Sequence, residues 1–289
     1  MIVPVCPACE VTGAAAVAER PPFVLRRCAA CGLRFSDPMQ HPGRDWYEAS
    51  EIYQEVAWNL QPLHKLGQRW EFRCFLAAGF PRQGLVFDVG CGRGDFLAVA
   101  RQAGYRVCGT DLNRDLLRAA EKAFGFTGLL DKPLQEITAA ELPEQPAVIT
   151  AFEVLEHLPQ PAAFIRACRE KLTAGGAIFL STPGVERVPA LFDATVDSPP
   201  HHLTLWTPAA LRRLLETNGF TCRDIQRKPL LASDLMYHWM RAVPGANGPG
   251  GAAKLLRAAC KAGALAARPL LARRAGAGGF TLAAVGTAR

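Results

Sequence analysis

Short apolar runs alternate with helical patterns over most of the chain, and this alternation limits the possible folds more than any other feature. Residues 84–90, GLVFDVG, form an apolar run ending in glycine, and a helical pattern at 96–102 follows. The succession recurs at 105–111 and 114–124. Further strands are predicted at 147–151, 177–181, 221–226 and 280–286, and further helices at 161–172 and 208–218. Such alternation predicts an α/β fold with a doubly wound, mostly parallel sheet.

Four of the ten cysteines have the spacing of a metal site. Cys6-x2-Cys9 and Cys28-x2-Cys31 are separated by eighteen residues, which fits the C-x2-C-x15–20-C-x2-C zinc pattern. Four thiolates would complete a tetrahedral shell, so we expect structural rather than catalytic Zn²⁺. The other six cysteines stand singly in apolar surroundings, as expected in a reducing compartment.

These patterns divide the 289 residues into three parts. We predict a small N-terminal zinc ribbon at 1–36, a helical linker and lid at 37–80, and a catalytic domain at 81–289 with a helical insertion at about 229–278. Tyr47 and Tyr53 in the lid are candidates for closing over a cofactor. Neither a signal peptide nor an apolar run of membrane-spanning length is recognisable, so we expect a cytoplasmic protein.

Carboxylates beside the glycine-rich loop indicate which nucleotide it binds. Asp88 precedes Gly90 by two residues, where its charge would oppose the pyrophosphate of a dinucleotide. S-adenosylmethionine has no phosphate and carries an ammonium and a sulfonium group. Asp111, at the end of the second strand, is placed to bind two ribose hydroxyls. The loop therefore favours S-adenosylmethionine over NAD.

Five segments resemble, in sequence and in their order along the chain, the motifs of class I S-adenosylmethionine-dependent methyltransferases. The resemblance covers roughly residues 70–226. The five segments are DVGCGRGDFL, GTDLN, FEVLEHLPQP, LTAGGAIFLSTPG and PPHHLTLWTPAALRRLLETNGF. The resemblance implies a Rossmann-like methyltransferase fold, and zinc ribbons are familiar partners of such domains in small-molecule, sugar and lipid methyltransferases. It implies cofactor binding by Asp88, Gly90, Cys91, Gly92, Gly94, Asp111, Leu112, Thr150, Ala151 and Phe152. The family's Gly-Asp at the adenine edge is replaced by LLDKPL at 129–134, where Asp131 is the candidate substitute.

Three polar residues follow the predicted third strand with helical spacing. Glu153, Glu156 and His157 stand at i, i+3 and i+4. One interpretation is that Glu153 orients the cofactor while Glu156 and His157 form a buried hydrogen-bonded pair. The other adds His201 or His202 and makes a second, divalent metal site, similar to metal-assisted O-methyltransferases acting on catechol-like quinone precursors or RNA 3′ ends.

The segment Pro199-Pro200-His201-His202 is predicted to be extended, so that adjacent side chains point to opposite sides. Only one histidine should then face the pocket. His202 fits the resembled family's His-Leu-x-x-aromatic-Ser/Thr pattern better than His201, and an imidazole suits proton removal from a hydroxyl. The alternative is a histidine that bonds loop backbone. The catalytic candidates are therefore His202, His201, His157 and Glu153.

Positive charge is concentrated near the C-terminus. Residues 229–289 contain eight Lys or Arg and one acidic residue, Asp234, which accounts for the whole formal charge of +7. Lys254, Arg257, Lys261 and Arg268 share one predicted helical face, opposite Leu256, Ala259 and Ala266. This pattern indicates either a solvated helix packed over the substrate pocket or peripheral contact with an anionic membrane.

The sequence thus predicts an enzyme that transfers a methyl group from S-adenosylmethionine to oxygen or carbon of a small molecule, sugar or lipid-linked intermediate. One alternative is an RNA methyltransferase whose ribbon grips RNA. The neutral charge of residues 1–228 argues against a nucleic-acid partner. Another alternative is a non-catalytic cofactor-binding or zinc scaffold protein.

Overall fold

The computed structural model describes residues 4–43, 46, 61–185, 198–232, 235–236, 239–240, 243–244, 250–274 and 278–289. The strands are β1 (Ala15–Arg20), β2 (Phe23–Arg27), β3 (Arg34–Asp37), β4 (Leu85–Val89), β5 (Arg106–Thr110), β6 (Pro146–Phe152), β7 (Ala177–Pro183), β8 (Thr204–Leu205), β9 (Phe220–Pro229) and β10 (Gly278–Ala288). The α-helices are α1 (Leu63–Leu66), α2 (Trp70–Ala77), α3 (Asp95–Gln102), α4 (Arg114–Phe124), α5 (Pro161–Lys171), α6 (Pro208–Thr217) and α7 (Gly251–Arg274). Single 3₁₀ turns lie at Leu134–Glu136, Ala139–Glu141 and Leu155–His157.

A six-stranded sheet with the order β5-β4-β6-β7-β10-β9 forms the centre of the molecule. Its first four strands are parallel, and β10 lies antiparallel between β7 and β9. Successive residues of β4 enter different cores: Leu85 and Phe87 pack on one face and Val86 on the other. A sheet covered on both faces needs such continuous apolar strands. The predicted doubly wound, mostly parallel sheet is confirmed.

Helix ends follow the local signals in the sequence. The Asn113 side chain accepts hydrogen bonds from the amides of Asp115 and Leu116 at the start of α4, and Gly125 ends that helix in the left-handed region. Thr207 caps α6, with Pro208 as its first residue. These short-range contacts explain why the bounds predicted for the two helices hold to within a residue.

The N-terminal unit is joined to the rest of the protein by a shared sheet. Strands β1, β2 and β3 are antiparallel, and β8, which lies far along the chain, pairs with β3. Ser36, the last residue of the predicted ribbon, lies within β3 and is fully buried. Because β3 continues to Asp37, the linker predicted from residue 37 begins inside this strand, whose partner β8 the sequence pattern does not reveal.

The segment before β4 is helical in its described part. Helices α1 and α2 are separated by a turn, and α2 ends just before Gly79. Phe72 and Phe75 of α2 are buried against the sheet. Tyr47 and Tyr53 lie outside the described residues.

The long helix α7 lies in the described part of the C-terminal insertion. Ala253, Cys260 and Ala264 form its buried line, and Gly263 allows the ring of Trp239 to approach closely. Ala259 and Ala266, predicted to lie on the apolar face, are exposed instead. No helix in the described ranges combines the length and apolar character needed to cross a bilayer.

Candidate functional site

The glycine loop begins where β4 ends. Gly90, Gly92 and Gly94 have φ of +73°, +53° and +78°, a region that residues with a side chain rarely adopt. Glycine is also required at position 90 by packing, because a Cβ there would lie 2.5 Å from Val154 Cγ2. The backbone amides of Gly90 and Cys91 donate to the carbonyl of Thr110, at 2.8 and 2.9 Å. The loop is thus fixed to the end of β5.

The Asp111 carboxylate holds the other side of this loop. It accepts hydrogen bonds from the backbone amides of Gly92 and Asn113, each at 2.8 Å. Burial raises the pKa of Asp111, and these amides oppose the shift. Each carboxylate oxygen can accept a further hydrogen bond, so the position remains suited to ribose hydroxyls.

Asp88 and Thr150 are neighbours in the β4–β6 register, and the structure pairs their side chains. The Thr150 hydroxyl donates to Asp88 at 2.6 Å, and both residues are buried. Burial, with a contribution from the charge of Asp111, raises the pKa of Asp88 to about 8. The Cys91 side chain is also buried, so the loop offers mainly backbone to a ligand.

The remaining predicted cofactor residues occupy different environments. Ala151 is buried in the sheet, and Phe152 packs in an aromatic cluster 4.4 Å from Phe96 between ring centroids. Leu112 is half-buried beside the loop. Asp131 forms a solvent-exposed ion pair with Arg114 at 2.6 Å.

Residues 130–132 extend the sheet edge next to Asp111. Leu130 bridges Thr110 in parallel, and the amide of Asp111 donates to the Leu130 carbonyl at 3.0 Å. The Thr110 hydroxyl also donates to that carbonyl at 2.9 Å. Asp131 therefore follows a segment that is anchored to the carboxyl end of β5.

Glu153 leaves the end of β6 with a strained backbone. Its φ of +55° is in the left-handed region, which costs a residue with a side chain on the order of 1 kcal/mol. The Ser181 hydroxyl donates to its carboxylate at 3.1 Å, and the Glu153 amide donates to the Ser181 carbonyl. These bonds hold the carboxylate against β7. Strain of this kind is common at functional sites.

His157, His201 and His202 form a compact cluster, which we call the histidine cluster. The rings of His201 and His202 are stacked with centroids 4.4 Å apart, and each lies 4.9 Å from the ring of His157. The prediction that only one of the adjacent pair faces this site is wrong. The amides of both residues bond to the carbonyl of Ser198, so the segment is a turn rather than extended backbone.

The histidine cluster, rather than the predicted set with Glu153 and Glu156, has the geometry of a ligand group. One ring nitrogen from each histidine lies within 4.8 Å of the others. The buried Glu156 carboxylate instead accepts a hydrogen bond from the Thr182 hydroxyl at 3.0 Å. Glu156 nevertheless lies next to the cluster, with one oxygen 3.9 Å from His157 Nε2.

The protonation state of His157 follows from its surroundings. Burial lowers the pKa of His157 well below its usual value, and His202 and His201 add to the shift. The Nδ1 of His157 lies 2.7 Å from the His201 carbonyl oxygen. Because a carbonyl only accepts, this contact fixes the tautomer in which Nδ1 carries the proton and Nε2 the lone pair. Neutral imidazoles can act as bases or as metal ligands.

Two contacts place the histidine cluster at the edge of the sheet that carries the glycine loop. Val154, which packs under Gly90, is three residues before His157. The Leu203 amide, directly after His202, donates to the carbonyl of Glu156 at 2.7 Å. The two halves of the site therefore share the carboxyl ends of β4 and β6, where open α/β sheets bind ligands.

The predicted lid region supplies two residues that sequence reasoning missed. The Trp46 ring lies 5.7 Å from that of His201, and the partly buried His41 accepts a hydrogen bond from the Gly43 amide at 3.0 Å. Burial lowers the pKa of His41, and its charge also affects His157. The sequence contains one indication of this role: His41 and Trp46 lie in a connecting segment, HPGRDW, that is otherwise without large side chains typical of a core.

The four cysteines are gathered as the sequence predicts. Their sulfur atoms all lie within 4.8 Å of one another, with Cys6 to Cys31 and Cys9 to Cys28 at 3.6 Å. Thiolates at about 2.3 Å from a tetrahedral Zn²⁺ would be about 3.8 Å apart, so the donor set fits that ion.

The cysteine cluster is connected directly to the histidine cluster. The Ser36 amide donates to the carbonyl of Leu203 at 2.9 Å, and the Thr207 hydroxyl donates to the carbonyl of Cys31 at 2.5 Å. Between these bonds, Arg34 pairs with Leu205 in the β3–β8 ladder. The turn that carries His201 and His202 is therefore braced by the N-terminal unit.

Comparisons with known proteins agree with this fold. Ubiquinone biosynthesis O-methyltransferase from Stutzerimonas stutzeri is 41% identical over 101 residues, covering 34% of this chain and 43% of the relative. That from Xanthomonas euvesicatoria pv. vesicatoria is 33% identical over 154 residues, covering 48% and 64%. The chain thus matches less than two thirds of the length of these two relatives.

Solved structures with low sequence identity share the fold. A SAM-dependent methyltransferase from Archaeoglobus fulgidus has a TM-score of 0.54 at 17% identity, covering 82% of this chain and all of its own. One from Mesorhizobium loti has a TM-score of 0.51 at 19% identity, covering 77% and 99%. The sequence model of the methyltransferase domain family matches residues 63–225, which begin after the cysteine-rich unit. Because this match covers more than half of the chain, the protein belongs to the methyltransferase domain family.

Proposed function

We propose that the protein is an S-adenosylmethionine-dependent O-methyltransferase that acts on a hydroxyl group of a small, lipid-linked acceptor. The observation that carries the proposal is the histidine cluster, with His201 and His202 buried, at the sheet edge that also holds the glycine loop. A proton acceptor beside a cofactor site is what methyl transfer to a hydroxyl requires. The names of the ubiquinone biosynthesis relatives support oxygen as the methylated atom and a lipid-linked small molecule as the acceptor.

The glycine loop and its carboxylates fit a cationic nucleoside without phosphate. The backbone of Gly90, Gly92 and Gly94 allows close approach, and Asp111 would hold the ribose. Leu112 would contact the adenine face. The buried Asp88 would lie near the ammonium and sulfonium groups, and its ionised form would favour positive charge there. When bound, S-adenosylmethionine supplies the methyl group that is transferred.

The histidine cluster would accept the proton of the acceptor hydroxyl. His202 is the proposed base, and the rings of His157 and His201 pack against it and hold its orientation. In-line transfer to oxygen requires a nucleophile held in line with the methyl and sulfur atoms in a site that excludes water. His201 and His202 are buried and His157 is partly buried, which is consistent with such a dry site.

The same three imidazoles would suit a divalent metal, and metal content distinguishes the two versions of this chemistry. A metal on the cluster would acidify the hydroxyl directly. The cysteine site predicts one Zn²⁺ per chain, and a metal on the histidines predicts a second. Elemental analysis of the wild type and of His202→Ala separates them: one metal in both proteins identifies an imidazole base, whereas a second metal lost in the variant identifies metal assistance.

The decisive experiment is methyl transfer with matched acceptors. The protein is incubated with methyl-labelled S-adenosylmethionine and a prenylated catechol, the same molecule with both oxygens already methylated, a hexose, or a short RNA. We expect label only in the free catechol, as an O-methyl group identified by mass spectrometry. Label in RNA alone, or no hydroxyl acceptor labelled while the cofactor binds, would refute the proposal.

A further inference from the structure

The solvent-facing side of α7 carries large apolar side chains, which an ordinary surface helix keeps on its buried side. Leu255, Leu265 and Leu270 are 74%, 56% and 66% exposed, more than any other large hydrophobic side chain in the described part of the chain. The inner side of the helix is already covered, since Ala253, Cys260 and Ala264 are buried. The exposed leucines are therefore additional to the residues that fix the helix to the protein.

These apolar side chains form a row. Leu255, Ala258, Ala262, Leu265 and Pro269 follow one another at intervals of three or four residues, and all are exposed. Leu270 extends the row at its end. We call this exposed row of six residues the outer stripe of α7.

Basic residues flank the outer stripe on one side. Lys254, Lys261 and Arg268 are exposed, stand seven residues apart, and each immediately precedes a residue of the stripe. Arg268 is also fixed in place, because its Nε donates to the carbonyl of Leu230 at 3.1 Å. The sequence has no acidic residue after Asp234, so nothing in α7 offsets this positive charge.

We propose that α7 lies on the surface of an anionic membrane, with the outer stripe in the boundary between headgroups and acyl chains. An apolar row beside a basic row is the arrangement of helices that lie in the plane of a bilayer. The leucines need an apolar partner, and the lysines and arginine match the charge of anionic headgroups. Nucleic acid would pair with the basic row but leave the leucines in water. This inference does not rest on the proposed function.

Vesicle flotation tests the inference with the full-length protein. We expect the wild type to float with phosphatidylcholine vesicles that contain phosphatidylglycerol and to remain behind with phosphatidylcholine alone, and high salt should weaken the binding. Leu255→Ser combined with Leu265→Ser should lower the partition coefficient about tenfold or more. Lys254→Gln combined with Lys261→Gln should lower it about fivefold or more per charge. All four positions are exposed, so the variants should fold, as checked by circular dichroism and cofactor binding.

Matched controls place the same changes elsewhere on the surface. Val11→Ser combined with Val17→Ser removes exposed apolar side chains from the N-terminal unit, and Lys122→Gln removes an exposed charge from α4. These variants should bind vesicles as the wild type does. Absence of flotation with anionic vesicles, or equal loss in α7 and control variants, overturns the inference. So does a dimer in light scattering that disappears in the leucine variant without any vesicle binding, because a second copy would then cover the stripe.

Discussion

The glycine loop and the histidine cluster lie at the same edge of the sheet, but the chain builds them in different ways. The loop is a continuous segment after β4, and its external anchors are the Thr110 carbonyl at the end of β5 and the Asp111 carboxylate directly after it. The cluster joins His157 to the carbonyl of His201, forty-four residues away, and the second segment is braced by β3. The cofactor half of the site is therefore largely a local structure. The histidine half depends on the N-terminal unit.

Burial shifts the pKa of one group in each half of the site, and the two shifts are in opposite directions. It raises the pKa of Asp88 from 3.8 to about 8, so this carboxyl costs increasing stability as the pH rises from about 4 to about 8. It lowers the pKa of His157 below 6.5, so the cluster costs stability as the pH falls below about 6.5. The two halves therefore limit stability at opposite ends of the pH range.

The largest effect should come from removing the cysteine site. Cys28→Ser combined with Cys31→Ser should lower methyl transfer at least about 100-fold and change cofactor affinity less than about threefold. A structural zinc site contributes roughly 10 kcal/mol or more, so its loss should unfold the N-terminal unit and release the 201–203 turn. Turnover and calorimetry with S-adenosylmethionine measure the two effects.

The matched control is Cys222→Ser, which alters a cysteine on β9 outside the cysteine cluster. This variant should retain both methyl transfer and cofactor affinity. Equal loss of turnover and cofactor binding in the double variant would show that the glycine loop also needs the N-terminal unit, and the distinction between the two halves would fail.

The second effect concerns the proposed base. His202→Ala should reduce kcat by about 100-fold to 1,000-fold, the usual contribution of general base catalysis, with little change in cofactor affinity. His64→Ala, which changes an exposed histidine on α1, is the control. Unchanged turnover in His202→Ala would show that His202 is not the base, and His157 or His201 would then be the candidate.

The sequence predicts the loop better than the cluster for a physical reason. Gly90, Gly92, Gly94 and Asp111 are set by strand ends and turn geometry, which depend on nearby residues. These residues could be identified by resemblance to methyltransferases because local geometry fixes their spacing in the sequence. The loop could therefore be placed before any tertiary contact was known.

The arrangement of the histidines could not be predicted in the same way. Their common orientation depends on a turn at Ser198 and on a two-residue strand, β8, that pairs with β3. Two residues are too few to give a strand pattern in a sequence. Pairing between β3 and β8, which are distant in the chain, leaves no periodic pattern in the sequence. The contact that supports the histidine cluster is therefore visible only in the structure.

A smaller effect should distinguish the two aspartates at the adenosine end. Asp111→Asn should weaken S-adenosylmethionine binding about tenfold to 100-fold, because it alters both the loop anchor and the proposed ribose acceptor. Asp131→Asn should change affinity less than about threefold, because Asp131 is exposed and its ion pair with Arg114 is open to solvent. Calorimetry on both variants provides the measurement. Similar losses would assign Asp131 the adenine-edge role predicted from the sequence.

The smallest expected effect is the release of a proton when the cofactor binds at the glycine loop. A cationic ligand near Asp88 favours its ionised form and lowers its pKa from about 8, so binding near pH 7 should release a proton. The dissociation constant for S-adenosylmethionine should therefore fall as the pH rises from about 6 to about 8, by up to about tenfold for each unit by which the cofactor lowers this pKa. Calorimetry in buffers with different ionisation enthalpies counts the released proton. Asp88→Asn should abolish this release, while Asp131→Asn should retain it. Binding enthalpies that do not depend on the buffer in the wild type would show that the cofactor's charge does not act on this carboxyl.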